Sequence, residues 1–105
     1  MVSKDTLAVI VEFIGTFIFF SVILNTTSKD SPGAIGVAVA LLAVIFFGGR
    51  VSGGHFNPGV SLMFAYRNNI SWTTAVHYIL AQVAAAYVAL KMDSTVLAAI
   101  PSLKV

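Results

Sequence analysis

The stretch Gly53-Gly54-His55-Phe56-Asn57-Pro58-Gly59-Val60 lies between two apolar segments and decides how the chain must fold. Asn57 is a favourable N-cap and Pro58 a favourable first helical residue, so a short helix is predicted to begin here. The apolar flanks place this start at membrane depth. At that depth irregular backbone is tolerated only where protein buries it or where it lines a watery cavity. The stretch therefore points to a polar pathway through a membrane, of which it forms one half.

The composition of the chain also indicates a membrane protein. Of the 105 residues, 58% are hydrophobic and only 10% are charged, whereas a soluble domain carries about 25% charged residues. The mean hydropathy is +0.95; a very apolar soluble helical domain is the alternative. There is no cysteine and the net charge of +2 is not clustered, which excludes a disulfide framework, a thiolate metal site and nucleic-acid binding. The length fits one small domain.

Three segments are apolar and long enough to cross a bilayer, which takes about 20 residues. They are predicted at residues 7–24, 33–49 and 72–91, and Ser71 is the expected N-cap of the third. A cleaved signal peptide is the alternative for the first segment. Its apolar run is longer than a usual signal sequence and no small-residue cleavage site follows, so we expect an uncleaved span.

The remaining segments are predicted to connect these spans. Residues 58–66 are too short to cross the bilayer and precede a polar stop at 67–69, so they are predicted to form a re-entrant half-helix. Residues 25–32 are expected to form a polar turn, residues 48–54 a loop that contains Arg50, and residues 93–105 a tail.

Glu12 lies in the middle of the first predicted span. An intramembrane carboxylate is costly and should face the protein interior with a partner. The backbone N–H groups of residues 53–56 lack helical partners and are the natural donors. The alternative is that helix tilt places Glu12 near the membrane interface. A proton-relay role is less favoured, because no second carboxylate lies in a span.

Other polar residues of the spans have more modest expected roles. Tyr78 and Gln82 are four residues apart and share a helix face; we expect Gln82 to support the loop and Tyr78 to join helices. His55 has no second histidine or carboxylate at ligand spacing, so no metal site is predicted. No nucleophile–base pair is indicated, so neither an enzyme nor a cofactor is expected.

Asn57 is the strongest candidate for a functional residue. Its side-chain amide offers two donors, and the dipole of a helix that begins there adds a positive field. Together they can donate to an oxygen that passes the helix end while opposing cations and protons. The alternative is an ordinary N-cap in a surface loop, which the lack of room for a fourth span disfavours.

Three segments of the chain resemble consecutive signatures of the major intrinsic proteins, the family of aquaporins and aquaglyceroporins. They are Glu12 to Phe17, Ser52 to Ser61 and Tyr78 to Gln82, of which the middle one is specific. The resemblance covers residue 7 to about residue 90 and implies two inverted repeats, each with one half-helix. This chain resembles the N-terminal repeat only. The implied fold is an all-α membrane protein with three transmembrane helices plus one re-entrant half-helix, an aquaporin-like hemipore.

The resemblance also implies roles for individual residues. Asn57 would donate to the permeant, and Val37 would belong to the narrow filter. The carbonyl groups of Gly53, Gly54 and His55 would accept hydrogen bonds, while Glu12 and Gln82 would hold the loop. The family motif Asn-Pro-Ala appears here as Asn57, Pro58 and Gly59, and glycine costs up to about 1 kcal/mol of helix propensity relative to alanine. Because Val37 is not aromatic, the filter would be wider than in a strict water channel.

The expected function is passive conduction of water or small neutral solutes such as glycerol by a multi-pass membrane protein. Three spans and one half-helix cannot enclose a pore, so a homo-oligomer or a complementary second repeat is the expected partner within the lipid bilayer. The alternatives are a non-conducting truncated product that acts as an interaction subunit, and a membrane scaffold. A lone repeat is expected to expose its loop, with Glu12 and Gln82, to lipid and so to be unstable as a monomer.

Overall fold

The computed structural model describes residues 1–26, 33–93 and 98–100. Within them the chain forms four helices and no strand: α1 (Lys4–Thr26), α2 (Ala34–Ser52), α3 (Pro58–Tyr66) and α4 (Trp72–Met92). By length and composition α1, α2 and α4 can each cross a membrane. The 9 residues of α3 rise only about 14 Å, roughly half of the hydrocarbon core. The predicted all-α fold with three spans and a short fourth helix is confirmed.

The helix bounds differ from the predicted ones mainly at the end of α2. This helix continues to Ser52, so Arg50 lies in its last turn and only residues 53–57 form the connection to α3. The predicted loop over 48–54 is wrong because Gly48 does not end the helix. It serves close packing instead, since a Cβ atom there would lie 2.7 Å from Val11 Cγ1. Parts of the predicted turn (27–32) and tail (94–97 and 101–105) fall outside the described residues.

Local capping chemistry sets the ends of α3 and the start of α4. Asn57 is the N-cap of α3, and its side chain accepts a hydrogen bond from the Gly59 N–H at 2.8 Å. Ser71 is the N-cap of α4 and accepts from the Thr74 N–H at 3.0 Å. Beyond α3 the chain turns at Asn68, whose φ of 61° is left-handed, a conformation that asparagine tolerates better than most residues. Both predicted N-caps are confirmed.

The contacts between helices fix their relative directions. Ser52, the last residue of α2, contacts Glu12 in the first half of α1, whereas Gly36 near the start of α2 lies beside Thr26 at the end of α1; the two helices are therefore antiparallel. The start of α4 lies beside the start of α1, since Asp5 and Ala8 line one pocket together with Thr74, and Gln82 in the middle of α4 reaches Glu12; α4 therefore runs parallel to α1. The beginnings of α1 and α4 and the end of α2 thus share one side of the molecule.

Small residues allow α4 to pack closely against its neighbours. α4 contacts both α1 and α3, and its buried positions include a row of alanines: Ala75, Ala81, Ala85 and Ala89. Without a hydrophobic force between helices in lipid, such small side chains gain stability by letting the backbones approach. This packing places the polar residue Gln82 against the interior, next to the connection between α2 and α3.

Candidate functional site

The connection between α2 and α3 has an unusual backbone, which its sequence allows. Gly53, Gly54 and Phe56 all have positive φ, at 93°, 68° and 50°. Glycine adopts this region freely, whereas for Phe56 it costs of order 1–3 kcal/mol and must be held by its surroundings. The loop can therefore turn back toward Glu12 of α1, and Asn57 then begins α3.

Every N–H group from Gly53 to Phe56 has a partner. Gly53 donates to the Gly49 carbonyl at 2.8 Å, and Gly54 donates to Ser52 Oγ at 3.1 Å. The N–H groups of His55 and Phe56 donate to Glu12 Oε2 and Oε1 at 3.0 and 2.7 Å. The carboxylate thus replaces the ladder that a helix would have supplied.

Glu12 collects two further donors, from outside the loop backbone. Ser52 Oγ donates to Oε2 at 2.6 Å, and Gln82 Nε2 donates to Oε1 at 2.9 Å. Both Glu12 and Gln82 are 0% exposed. The expectation that a lone repeat would leave these two residues facing lipid is wrong, because α3 and α4 fold over them. This one repeat buries its own charged residue together with its donors.

A second group of contacts links α4 to His55. Ser61 Oγ, in the first turn of α3, lies 2.8 Å from His55 Nδ1 and 3.0 Å from Gln82 Nε2. The imidazole stacks on Phe64 with ring centres 4.8 Å apart and meets the edge of Tyr78 at 5.2 Å. The His55 side chain therefore packs between two aromatic rings and a hydroxyl group, and the residue is only 6% exposed.

Phe56 fixes the loop from the opposite side. Its ring is fully buried and occupies a slot between the backbones of Gly15 in α1 and Gly48 in α2. A Cβ atom at Gly15 would collide with Phe56 Cε1, and one at Gly48 would lie 3.1 Å from Phe56 Cζ. Only glycine at both positions leaves room for the ring, so the slot and the ring together compensate for the strained backbone of Phe56.

Tyr78 completes the support of the loop. Its hydroxyl donates to the Ser52 carbonyl at 2.7 Å, so this side chain joins α4 to the end of α2, in line with the helix-joining role expected for it. Thr16 Oγ1 and Gln82 Oε1 are buried, and neither has a hydrogen-bond partner among the described residues. No cluster of three potential metal ligands occurs among the described residues.

The predicted pore residues lie in different surroundings. Asn57 is exposed, its Oδ1 atom is engaged by Gly59, and no described residue accepts from its Nδ2 group. Gly53 and Gly59 are also exposed, whereas Gly54 is half-buried. Val37 lies apart from them in the first turn of α2, at the opposite end of that helix from the loop. The structure thus joins Glu12, Gln82 and His55 in one network and leaves Asn57 at its outer edge.

Sequence reasoning missed three members of this site: Ser52, Ser61 and Phe56. The two serines are hydroxyl groups in otherwise apolar surroundings, and Ser61 stands one helical turn after Asn57, which is a signal that could have singled it out. The slot for Phe56 has no comparable signal. Gly15 and Gly48 are far apart in the sequence, and their pairing exists only after α1 and α2 have packed.

The chain matches one known protein family and several curated proteins. The family model described as major intrinsic protein matches residues 2–100. Among curated relatives, the chain is 41% identical to aquaporin NIP1-4 of Oryza sativa subsp. japonica over 83 residues, which are 71% of this chain and 30% of that protein. It is 33% identical to the glycerol uptake facilitator protein of Streptococcus pneumoniae, covering 71% of this chain and 37% of that protein.

The chain is also similar to an animal protein of this kind. It is 34% identical to the lens fiber major intrinsic protein of Gallus gallus, with 71% of this chain and 31% of that protein covered. The chain therefore spans about a third of the length of these relatives. No solved structure gives a significant match.

Proposed function

Because the chain belongs to the major intrinsic protein family, we propose that it provides one half of a passive channel for water or small neutral solutes. As a member of this family with three membrane-crossing helices, it is a multi-pass membrane protein. The names of its relatives include aquaporins and glycerol uptake facilitators, which sets the class of permeant proposed here.

The observation that carries the proposal is the orientation of the Asn57 side-chain amide. Its oxygen is engaged by the Gly59 N–H at 2.8 Å, which fixes the orientation of the amide and turns the Nδ2 group outward. An exposed donor at the N-terminus of a half-helix suits the oxygen of water or of a polyol. The same helix end opposes cations through its positive field. The arrangement therefore favours neutral permeants.

The conducting unit needs a second repeat. Three spans and one half-helix do not surround a pathway, and Asn57 and Gly59 lie on an exposed face of this repeat. A second half-helix that meets this face end to end would complete the pore. It would come either from another copy of this chain in the opposite orientation or from a complementary repeat. The proposed partner is thus a structure much like the chain itself.

Water flux through liposomes that contain the full chain tests the proposal. We expect faster osmotic shrinkage than in empty liposomes. Asn57→Asp should slow it about fivefold or more, because the amide donors disappear while the carboxylate can still cap α3, and one net hydrogen bond is worth about 1 kcal/mol. Asn69→Asp is the matched control, since Asn69 is exposed after α3 and adds the same charge away from the half-helix start.

The same assay separates conduction from the alternatives. Flux equal to that of empty liposomes at every protein density, from a chain that remains helical, would contradict a pore closed by copies of this chain alone. It would favour a complementary repeat, an interaction subunit or a scaffold. Equal flux for wild type and Asn57→Asp in a conducting preparation would remove Asn57 from the pathway.

A further inference from the structure

Glu12 acts only as an acceptor in its network. Two of its donors are the backbone N–H groups of His55 and Phe56, which cannot reverse their role. They approach different carboxylate oxygens, so Oε1 and Oε2 each accept at least one backbone hydrogen bond. The amide of Gln82 must therefore turn its Nε2 group, and not its oxygen, toward Glu12.

This orientation determines the role of Ser61. One Nε2 hydrogen of Gln82 points to Glu12 Oε1 at 2.9 Å, and the other points to Ser61 Oγ at 3.0 Å. Ser61 Oγ therefore accepts from Gln82. Its own hydroxyl hydrogen needs an acceptor, and His55 Nδ1 at 2.8 Å is the one hydrogen-bond partner left for it in the described part of the chain.

The chain of donors ends on the imidazole of His55. Nδ1 accepts from Ser61, so it carries no hydrogen, and the neutral ring must hold its proton on Nε2. A doubly protonated ring is disfavoured, because His55 is buried and a charge there would be poorly solvated. Glu12 thus sets the tautomer of His55 through two intervening side chains.

The protonated nitrogen lies at the open side of the loop. A Cβ atom at Gly53 would lie only 3.3 Å from His55 Nε2, so the absence of a side chain at this exposed position leaves the nitrogen uncovered. No described residue accepts a hydrogen bond from it. The N–H group is therefore available to an oxygen atom that approaches the loop beside Gly53.

We propose that His55 Nε2–H is a second hydrogen-bond donor for the oxygen of a water or polyol molecule at this loop. Ser61 and Gln82 are the positioning residues that fix its tautomer. This inference rests on the proposed function, because the added donor would act on a permeant in the pathway that Asn57 would line. The relay itself depends only on the hydrogen bonds inside this one repeat.

Nitrogen NMR of the full chain in liposomes tests the relay directly. The chain holds 2 histidines, and a His77→Gln variant assigns the signals, since His77 is exposed on α4. At mildly alkaline pH we expect His55 to show a single tautomer with a bare Nδ1 and a protonated Nε2. We also expect magnetisation to transfer from water to the Nε2 proton.

In Ser61→Ala the His55 Nδ1 atom loses its donor, so the spectrum should no longer show a single tautomer. A population of His55 protonated on Nδ1 should appear. Ser61→Thr keeps the hydroxyl and should restore the single tautomer, and Thr73→Ala is the matched deletion of a hydroxyl on exposed Thr73 of α4. Thermal melting of each variant shows that it is folded.

Three results would overturn the inference: a proton on Nδ1 in the wild type, identical spectra for wild type and Ser61→Ala, or no transfer from water. The osmotic flux of the same liposomes reports the proposed function separately. A chain without flux that shows the expected tautomer and water contact would contradict conduction while supporting the relay.

Discussion

Glu12 is the residue on which the loop depends most, because four donors converge on one carboxylate. Glu12→Leu should destabilise the fold far more than Glu12→Gln. Leucine leaves buried donors without an acceptor, at about 1–3 kcal/mol each, whereas glutamine keeps one acceptor oxygen. Thermal unfolding in detergent measures the difference. Equal melting temperatures for the two variants would mean that the carboxylate does not hold the loop.

Thr16 offers a contrasting test one turn along the same helix. It is 0% exposed, and its Oγ1 atom has no partner among the described residues. Thr16→Val keeps the shape and removes the unpaired hydroxyl, so we expect an unchanged or higher melting temperature. A clear loss of stability would instead reveal a hydrogen bond, for example to a buried water molecule.

Single residues were predictable from the sequence where their chemistry is local. Asn57 and Ser71 cap helices because their own backbone neighbours need an acceptor. The partners of Glu12 could also be predicted, because a buried carboxylate and a run of unpaired N–H groups each need what the other supplies. Ser61 was missed because its hydroxyl matters only through His55 and Gln82, which three separate segments bring together.

Between elements, the packing of α1 against α2 depends on glycines that leave space for Phe56. Gly15→Ala should destabilise the protein, because the new methyl group would collide with the ring. Combining it with Phe56→Leu should recover part of the loss by shortening the side chain in the slot. Gly49→Ala is the matched control. A Cβ there meets only Ile45 of its own helix at 3.7 Å, and alanine favours a helix by about 1 kcal/mol.

Melting temperatures of these variants in detergent decide the question. If Gly15→Ala is tolerated as well as Gly49→Ala, the ring does not need the slot.

The end of α2 was predicted wrongly for a related reason. Glycine at positions 48 and 49 signals a loop in a sequence read alone, yet here Gly48 stays helical because Val11 and Phe56 occupy the space that a side chain would take.

For the whole molecule, the sequence predicted the class of fold from hydropathy and length. It did not predict how well one repeat encloses its polar residues. That error came from treating three helices as too few to surround Glu12. The short helix α3 and the alanine row of α4 close the remaining sides, which leaves Glu12 and Gln82 without exposure.

For the whole molecule we also predict how the chain is oriented in the membrane. If two copies close the pore, they must insert in opposite directions. Lys4, Arg50 and Arg67 lie toward one side and Lys91 toward the other, while Lys29 and Lys104 are outside the described residues. The sequence order predicts that Lys29, between the first two spans, and Lys104, after the third, share the side of Lys91; three basic residues are then expected on each side, and the positive-inside bias is small. A reporter fused to the C-terminus should then be found on both sides of the membrane.

Lys91→Gln should shift this reporter toward one side, because it removes a basic residue from one end only; its exposed position on α4 makes it a mild change. Flux in the liposome assay should fall with the loss of mixed orientation. A single orientation in the wild type, together with no flux, would contradict the homodimeric pore and favour a complementary repeat from another source.

The buried network around Glu12 has a consequence for the order of events during biosynthesis. Since the carboxylate, the loop and Gln82 satisfy one another within a single repeat, the repeat can leave the insertion machinery as a finished unit before it meets a partner. If a second copy supplies the other half of the proposed pore, closing the pore becomes an encounter between two folded halves that diffuse in the plane of the membrane. Mass action would then govern that encounter, so a higher density of copies in the bilayer would favour the closed pore.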